Sequence, residues 1–189
     1  MLKDLVLTNR SYRRFYQDEK ISVETLKELI DLARNTASTV NSQALKYKLV
    51  CTPEENEKVF NSLAWAGLLK GKGTPCEGER PSAYIVVMCD LELGKNKYWD
   101  EGIAVQTIML GAAEKGLGGC IFGSVKREQL ASDFSIDPEK YAIDLVLALG
   151  KPKETVKLIE VDESQSTAYY RDENGIHYVP KRSLDDIII

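Results

Sequence analysis

The stretch AYIVVM, residues 83 to 88, is apolar at every position. A strand with one wet face alternates apolar and polar residues, so an unbroken run rich in β-branched side chains needs cover on both faces. The expectation is a central strand in a sheet with helices packed on either side. A second apolar set, Ile103, Ala104, Val105, Ile108, Met109, Leu110, Ala112 and Ala113, covers nearly the whole circumference of a helix from about Trp99 to Lys115. Such a helix is buried on most sides. GLGG, at 116 to 119, stops it, since glycine permits the left-handed turn that ends a helix.

Shorter signals supply the order of elements. Ser22 caps a helix whose residues Val23, Leu26, Leu29, Ile30 and Ala33 share one face and which ends near Asn35. In TPEENEKVF, Thr52, Pro53 and Glu55 form a capping box with proline at the first helical position, opening a helix to about Trp65. YKLVC (47 to 51), CIF (120 to 122) and DLVLAL (144 to 149) read as strands, with a short helix from about Val125 to Phe134. Beyond Pro152 the chain turns polar. Asn174-Gly175 marks the tight turn of a small hairpin, and Ser183 caps a last helix, Leu184 to Ile189. Ile187, Ile188 and Ile189 would be an awkward exposed patch, so they are expected to dock on this subunit's core or on a partner. No repeat or linker divides the 189 residues, 43% of them hydrophobic, which suits one substantial core. A single domain over 1–189 follows, with the segment from about 155 to 189 packing on that core or on a partner subunit.

A net charge of −4 argues against nucleic acid or an anionic membrane as the main partner, since either favours a broad basic surface. Cys51, Cys76, Cys89 and Cys120 form no CxxC pair and His177 is the one histidine, so no metal site is expected. They read as the reduced thiols of a cytosolic protein. Lys3 and Asp4 interrupt the first apolar residues, and nowhere do 18 apolar residues run together. A soluble cytoplasmic protein is expected.

The candidate chemistry lies in three clusters. In NRSYRRF, Arg10, Ser11 and Arg13 offer guanidinium forks and a hydroxyl suited to phosphate; spacing alone favours a solvated basic patch, since exposed charges are commonplace. Ser38, Asn41 and Gln43 precede a strand, and amides that both donate and accept suit the edge of a flavin pyrimidine ring or a nucleobase. Their alternative is a loop satisfying its own backbone. GLGGCIFG is not a dinucleotide fingerprint, because Ile121 stands at the third glycine position and the glycines follow a helix. Its backbone can still approach a planar ligand closely. GKGTP, at 71 to 75, lacks the spacing of a phosphate-binding Walker loop and reads as a mobile loop.

In this order and at these positions the clusters resemble the FMN-dependent nitroreductase family. Its RRSxRxF pattern is matched by Arg10, Ser11, Arg13 and Phe15, with Asn9 in place of the first arginine. Its PSxxNxQPW is matched by Ser38, Asn41 and Gln43, while Ala37, Ala44 and Leu45 replace both prolines and the tryptophan. GLGGCIFG, ALGKP (148 to 152) and PKRSLDDI (180 to 187) are similar to later family segments. The resemblance implies an α+β fold, a central mostly antiparallel sheet surrounded by helices, in an intertwined homodimer with FMN at the subunit interface. Arg10, Ser11 and Arg13 would hold the FMN phosphate and ribityl chain, joined by Lys181 and Arg182. Ser38, Thr39, Asn41 and Gln43 would reach the flavin, with Ser38, Thr39 and Asn41 coming from the other subunit. Gly119, Cys120, Ile121, Phe122 and Gly123 would lie along the ring.

The implied activity is that of a flavoprotein oxidoreductase: hydride passes from NADH or NADPH to flavin N5, then to a small-molecule electron acceptor, a nitroaromatic or quinone, in ping-pong order. No catalytic side chain is required. A non-enzymatic FMN-binding redox sensor, or a dehalogenating or flavin-fragmenting relative, is the alternative. His177 reads as structural or exposed, Cys120 as a small buried thiol, and Trp65 and Trp99 as core aromatics flanking a possible lid at 66 to 82.

Overall fold

The computed structural model describes residues 1–69, 73–94 and 98–189. The possible lid at 66 to 82 includes residues 70–72, and the loop at 71 to 75 includes 71 and 72, which lie outside the described residues.

The fully apolar run became β3 (Ala83–Asp90), buried along its whole length. It sits between β2 (Leu45–Val50) and β5 (Tyr141–Pro152), antiparallel to both. Beyond β5 lie β1 (Phe15–Tyr16) and β4 (Gly118–Phe122), each antiparallel to a different part of it. The two-residue period of β3 assigns its side chains to two layers. Ala83, Ile85 and Val87 join Leu26 and Leu29 of α2 (Val23–Arg34) and Ile108 and Ala112 of α4 (Tyr98–Glu114). Tyr84, Val86 and Met88 join Val59 of α3 (Pro53–Ser62) and Leu130 of α5 (Arg127–Phe134). Burying each of the valine, leucine, isoleucine and methionine side chains among these stabilises the fold by about 1.5–3 kcal/mol.

The caps predicted at Ser22 and Thr52 are made. Ser22 Oγ accepts the Thr25 N–H at 3.1 Å, and Thr52 Oγ1 accepts that of Glu55 at 3.4 Å. The second helix stops three residues before Trp65, because Leu63 turns extended and bridges to Val125 while Ala64 N–H donates to Ser124 O. Trp65 packs as expected, its ring 4.6 Å from that of Phe122. Gly116, at φ +69°, ends α4.

Along β5 one break in register has consequences. Val87 pairs with Leu145 but Met88 with Ile143, so Asp144 is an extra residue in the register. The bulge re-aims its side chain, and the Asp144 carboxyl hydrogen-bonds Glu101 of α4. Arg127 supports the distorted backbone, donating from Nε to Ile143 O and from Nη2 to Asp144 O.

The C-terminal residues form a second sheet in which β6 (Val156–Val161) runs parallel to β8 (His177–Arg182), and β8 pairs with β7 (Tyr170–Arg171) through the predicted hairpin, with Gly175 at φ +78°. The residues after Ser183 make a turn in place of the expected helix: Ser183 Oγ accepts Asp186 N–H, but only Ile187 N–H to Leu184 O follows. Ile187, Ile188 and Ile189 are exposed, so this subunit's core is not where they dock.

Candidate functional site

The segment Asn9–Arg14 leaves α1 (Leu2–Thr8) and lies on the edge of β4, where Ser11 bridges Gly119 and Tyr12 N–H donates to Gly119 O at 2.9 Å. Gly119 has no room for a side chain: a Cβ there would stand 2.2 Å from Ala148 O. The missing side chain lets β4 lie close on β5, while the N-terminal segment meets the strand backbone to backbone through the Ser11 bridge, and a cavity of about 290 Å³ opens over that seam. Its walls include Arg10, Ser11, Arg13, Gly119, Ile121 and Lys181. Gln106 and Met109 of α4 close one side, and Tyr169, just before β7, with His177 and Val179 of β8, closes another.

Strand periodicity decides which candidates face this cavity. On β4, Gly119 and Ile121 face it, while Cys120 and Phe122 belong to the α3–α5 core, where burial pushes the Cys120 thiol up. Gly123 follows the strand and its carbonyl accepts from Arg127. On β8, His177, Val179 and Lys181 face the cavity; Arg182 falls on the alternate face and donates to the carbonyls of Asp162 and Gln165. Lys181 alone of the expected basic pair stands in the wall.

Tyr12, between the expected ligands, and Arg14, directly after them, have structural work. Tyr12 packs over Gly118, where a Cβ would come within 2.5 Å of its ring, and its hydroxyl donates to Thr8 O. Arg14 points away from the cavity to Glu79, 3.4 Å from its Nε. Glu154, on the turn between β5 and β6, ties the segment down. Its Oε1 accepts the backbone N–H of Arg13 and of Arg14, and its Oε2 pairs with Arg171 at 2.5 Å. No carboxylate lines the cavity among the described residues, so the charge facing inward is cationic, from Arg10, Arg13 and Lys181.

His177, expected to be structural or exposed, is fully buried against Arg13, its Nε2 at 3.5 Å from Nη1. Burial pushes its pKa below the usual histidine range; the Arg13 and Arg171 charges add to the shift and Glu154 opposes it. Nothing local in the sequence could have found this pair, since the partners are 164 residues apart.

The second group of candidates lies elsewhere. Ser38 and Gln43 line a separate cavity of about 160 Å³ with Arg34, Tyr47, Asp100 and Ala104. Asp100 and Ala104 on one side of α4, and Gln106 and Met109 on another, divide the two cavities. The loop between is strained: Val40, Asn41 and Gln43 have φ of 46°, 54° and 49°. A β-branched residue there is a genuine outlier, and such backbone persists only where surrounding contacts impose it. Asp100 imposes it, accepting both the N–H and the hydroxyl of Thr39, at 3.0 and 2.9 Å. Trp99 Nε1 donates to the same hydroxyl. Trp99 was expected in the core, yet it is 62% exposed, because its indole N–H is committed to the loop. Val40 at the tip is 91% exposed.

Asp100→Ala should release this loop, removing charge-assisted bonds worth roughly 1.5–3 kcal/mol. Hydrogen exchange at the Thr39 amide would rise by one to two orders of magnitude on the same scale. Unchanged exchange would show that other contacts hold the loop.

A layered structure with an antiparallel main sheet, helices on both faces and an N-terminal arginine segment laid on β4 defines a nitroreductase-like α+β fold. The family model for the nitroreductase family matches residues 6–77 and 92–151, and the chain belongs to that family. Three solved structures illustrate the likeness. A protein assigned as a nitroreductase, in complex with FMN, from Desulfovibrio desulfuricans has a TM-score of 0.66 and 21% identity, covering 81% of this chain and 87% of that one. A nitroreductase family protein from Clostridium difficile has a TM-score of 0.65 and 20% identity, covering 80% and 84%. A protein assigned as an NAD(P)H:FMN oxidoreductase from Staphylococcus epidermidis has a TM-score of 0.66 and 19% identity, covering 82% and 88%. No curated protein matches the chain in sequence.

Proposed function

We propose that the protein is an FMN-dependent oxidoreductase that takes hydride from NADH or NADPH and passes it to a nitroaromatic, quinone or similar small acceptor. The observation that carries this is the donor set of the larger cavity: Arg10, Ser11, Arg13 and Lys181 converge over glycine-backed strand β4 with no carboxylate among the described lining residues. That set fits a phosphate dianion, and the close seam at Gly119 fits a flat ring laid along backbone. When bound, FMN supplies the hydride chemistry, which the side chains of this cavity cannot.

The chain's own residues have binding and orienting roles. Arg10, Arg13 and Lys181 neutralise the phosphate, Ser11 adds a neutral donor, and Glu154 fixes the arginine segment from behind. Ile121 is exposed on β4 and offers an apolar surface to the ring edge. Ser38, Thr39, Asn41 and Gln43 serve the cavity of a second copy. A homodimer supports this role, because Trp99 and Ile103 make an exposed apolar stripe on α4 and the space over Gly102 between them is open. Val40 and the C-terminal isoleucines are further apolar surface for a partner to cover. All four cysteines are free thiols, in keeping with a reducing compartment such as the cytoplasm; among the described residues no helix is long and apolar enough to cross a membrane.

Purified protein should carry the absorption of oxidised flavin and lose it on anaerobic addition of NADH or NADPH, regaining it when a quinone is added. Flavin that neither nucleotide reduces would leave an FMN-binding protein that is no NAD(P)H oxidoreductase. Absence of any flavin affinity would overturn the proposal entirely.

A further inference from the structure

Two residues beyond the family-matched stretch, which ends at 151, hold Arg13 from the cavity's far wall. Arg13 Nη1 carries two hydrogens. One is directed to Ser11 O at 3.2 Å and the other to His177 Nε2 at 3.5 Å. Arginine only donates, so Nε2 must accept, and the neutral imidazole then carries its proton on Nδ1. That Nδ1 is buried with no partner among the described residues. The aromatic ring of Tyr169 lies against the guanidinium, 4.9 Å from its carbon, and 5.3 Å from the imidazole.

The consequence is orientational. With Nη1 occupied on both hydrogens and Tyr169 against the guanidinium face, the guanidinium cannot spin freely about its stem. Its Nε and Nη2 hydrogens have no partner among the described residues, and these form the edge that meets a phosphate with two parallel bonds. We infer that His177 and Tyr169 are positioning residues that present the Nε–Nη2 edge of Arg13 to the phosphate of the bound flavin nucleotide, an inference that rests on the FMN binding proposed above. The C-terminal sheet thereby acts as a clamp on the cofactor's phosphate site as well as one of its walls.

A comparison of FMN with riboflavin, which lacks the phosphate, separates positioning from general support of the fold. Full-length protein freed of flavin would be titrated with each, following flavin fluorescence. His177→Leu and Tyr169→Leu should each weaken FMN binding roughly tenfold or more while riboflavin stays within about twofold of wild type. His177→Gln, which can place an acceptor oxygen near the Nε2 position, should restore FMN affinity to within about threefold. Tyr169 is only half-buried, so its variant serves should His177→Leu fail to fold. Equal losses for both flavins, or FMN affinity unchanged by either leucine variant, would overturn the inference. A wild-type chain that binds no FMN would instead overturn the functional proposal, and this one with it.

Discussion

Arg13→Ala is expected to lose FMN on purification and dialysis, whereas Arg14→Ala should retain it. The two arginines are neighbours in sequence with opposite surroundings. Arg13 is 9% exposed, lies in the cavity wall and has its Nε–Nη2 edge free among the described residues. Hydrogen bonds to a charged group contribute about 1.5–3 kcal/mol each, so losing a two-bond contact with phosphate should weaken binding at least 100-fold. Arg14 makes a partly exposed ion pair with Glu79, and such a pair contributes about 0–1 kcal/mol to stability and nothing to the cavity. The ratio of flavin to protein absorbance after dialysis reads the result directly. Equal retention by both variants would count against a phosphate site built on Arg10, Ser11 and Arg13. Arg13→Lys is an informative intermediate, because it keeps the charge and removes the fork.

The second large effect concerns stability and pH. Glu101 and Asp144 are buried side chains, 3% and 8% exposed, which the bulge in β5 brings into a hydrogen bond. Burial first, and then the Asp144 charge, pushes Glu101 up to about 7; Asp100 on the same helix adds to this and Arg127 of α5 opposes it. The folded-state value lies above the unfolded one, so the folded protein holds a proton that the unfolded chain gives up. Its stabilising contribution is complete below the ordinary glutamate range and is lost as pH rises through about 7. A displacement of this size corresponds to on the order of 3 kcal/mol.

Glu101→Gln keeps a donor for Asp144 and removes the ionisation. Urea unfolding at pH 5 and pH 8 should show the variant gaining on wild type as pH rises, by a few kcal/mol at the upper end. The difference between the two proteins is the quantity to follow. His177 acts in the opposite direction, since burial lowers its pKa and the stability tied to its neutral form is lost on acidification. A constant difference between the variant and wild type from pH 5 to 8 would show that Glu101 ionises as an exposed glutamate does.

What could be read from the chain alone was whatever is decided within a few residues or by each residue's own polarity. Ser22 and Thr52 cap their helices because the bonds are made to N–H groups three positions on. AYIVVM became a central strand because six apolar side chains in succession leave no face for water. Arg10, Ser11 and Arg13 come together because one short segment carries them. Tertiary structure decided the rest, wherever a distant partner outweighs a local tendency. Leu63 leaves its helix to bridge Val125, and Trp99 gives up the core for a bond to Thr39. Arg182 faces away because strand alternation admits Lys181 to the cavity and turns its neighbour out. Asp144 meets Glu101 only through one extra residue in β5, and His177 finds Arg13 only once the C-terminal sheet has folded over the N-terminal segment. The energies of such contacts depend on burial and distance, and no pattern of spacing along the chain carries either quantity.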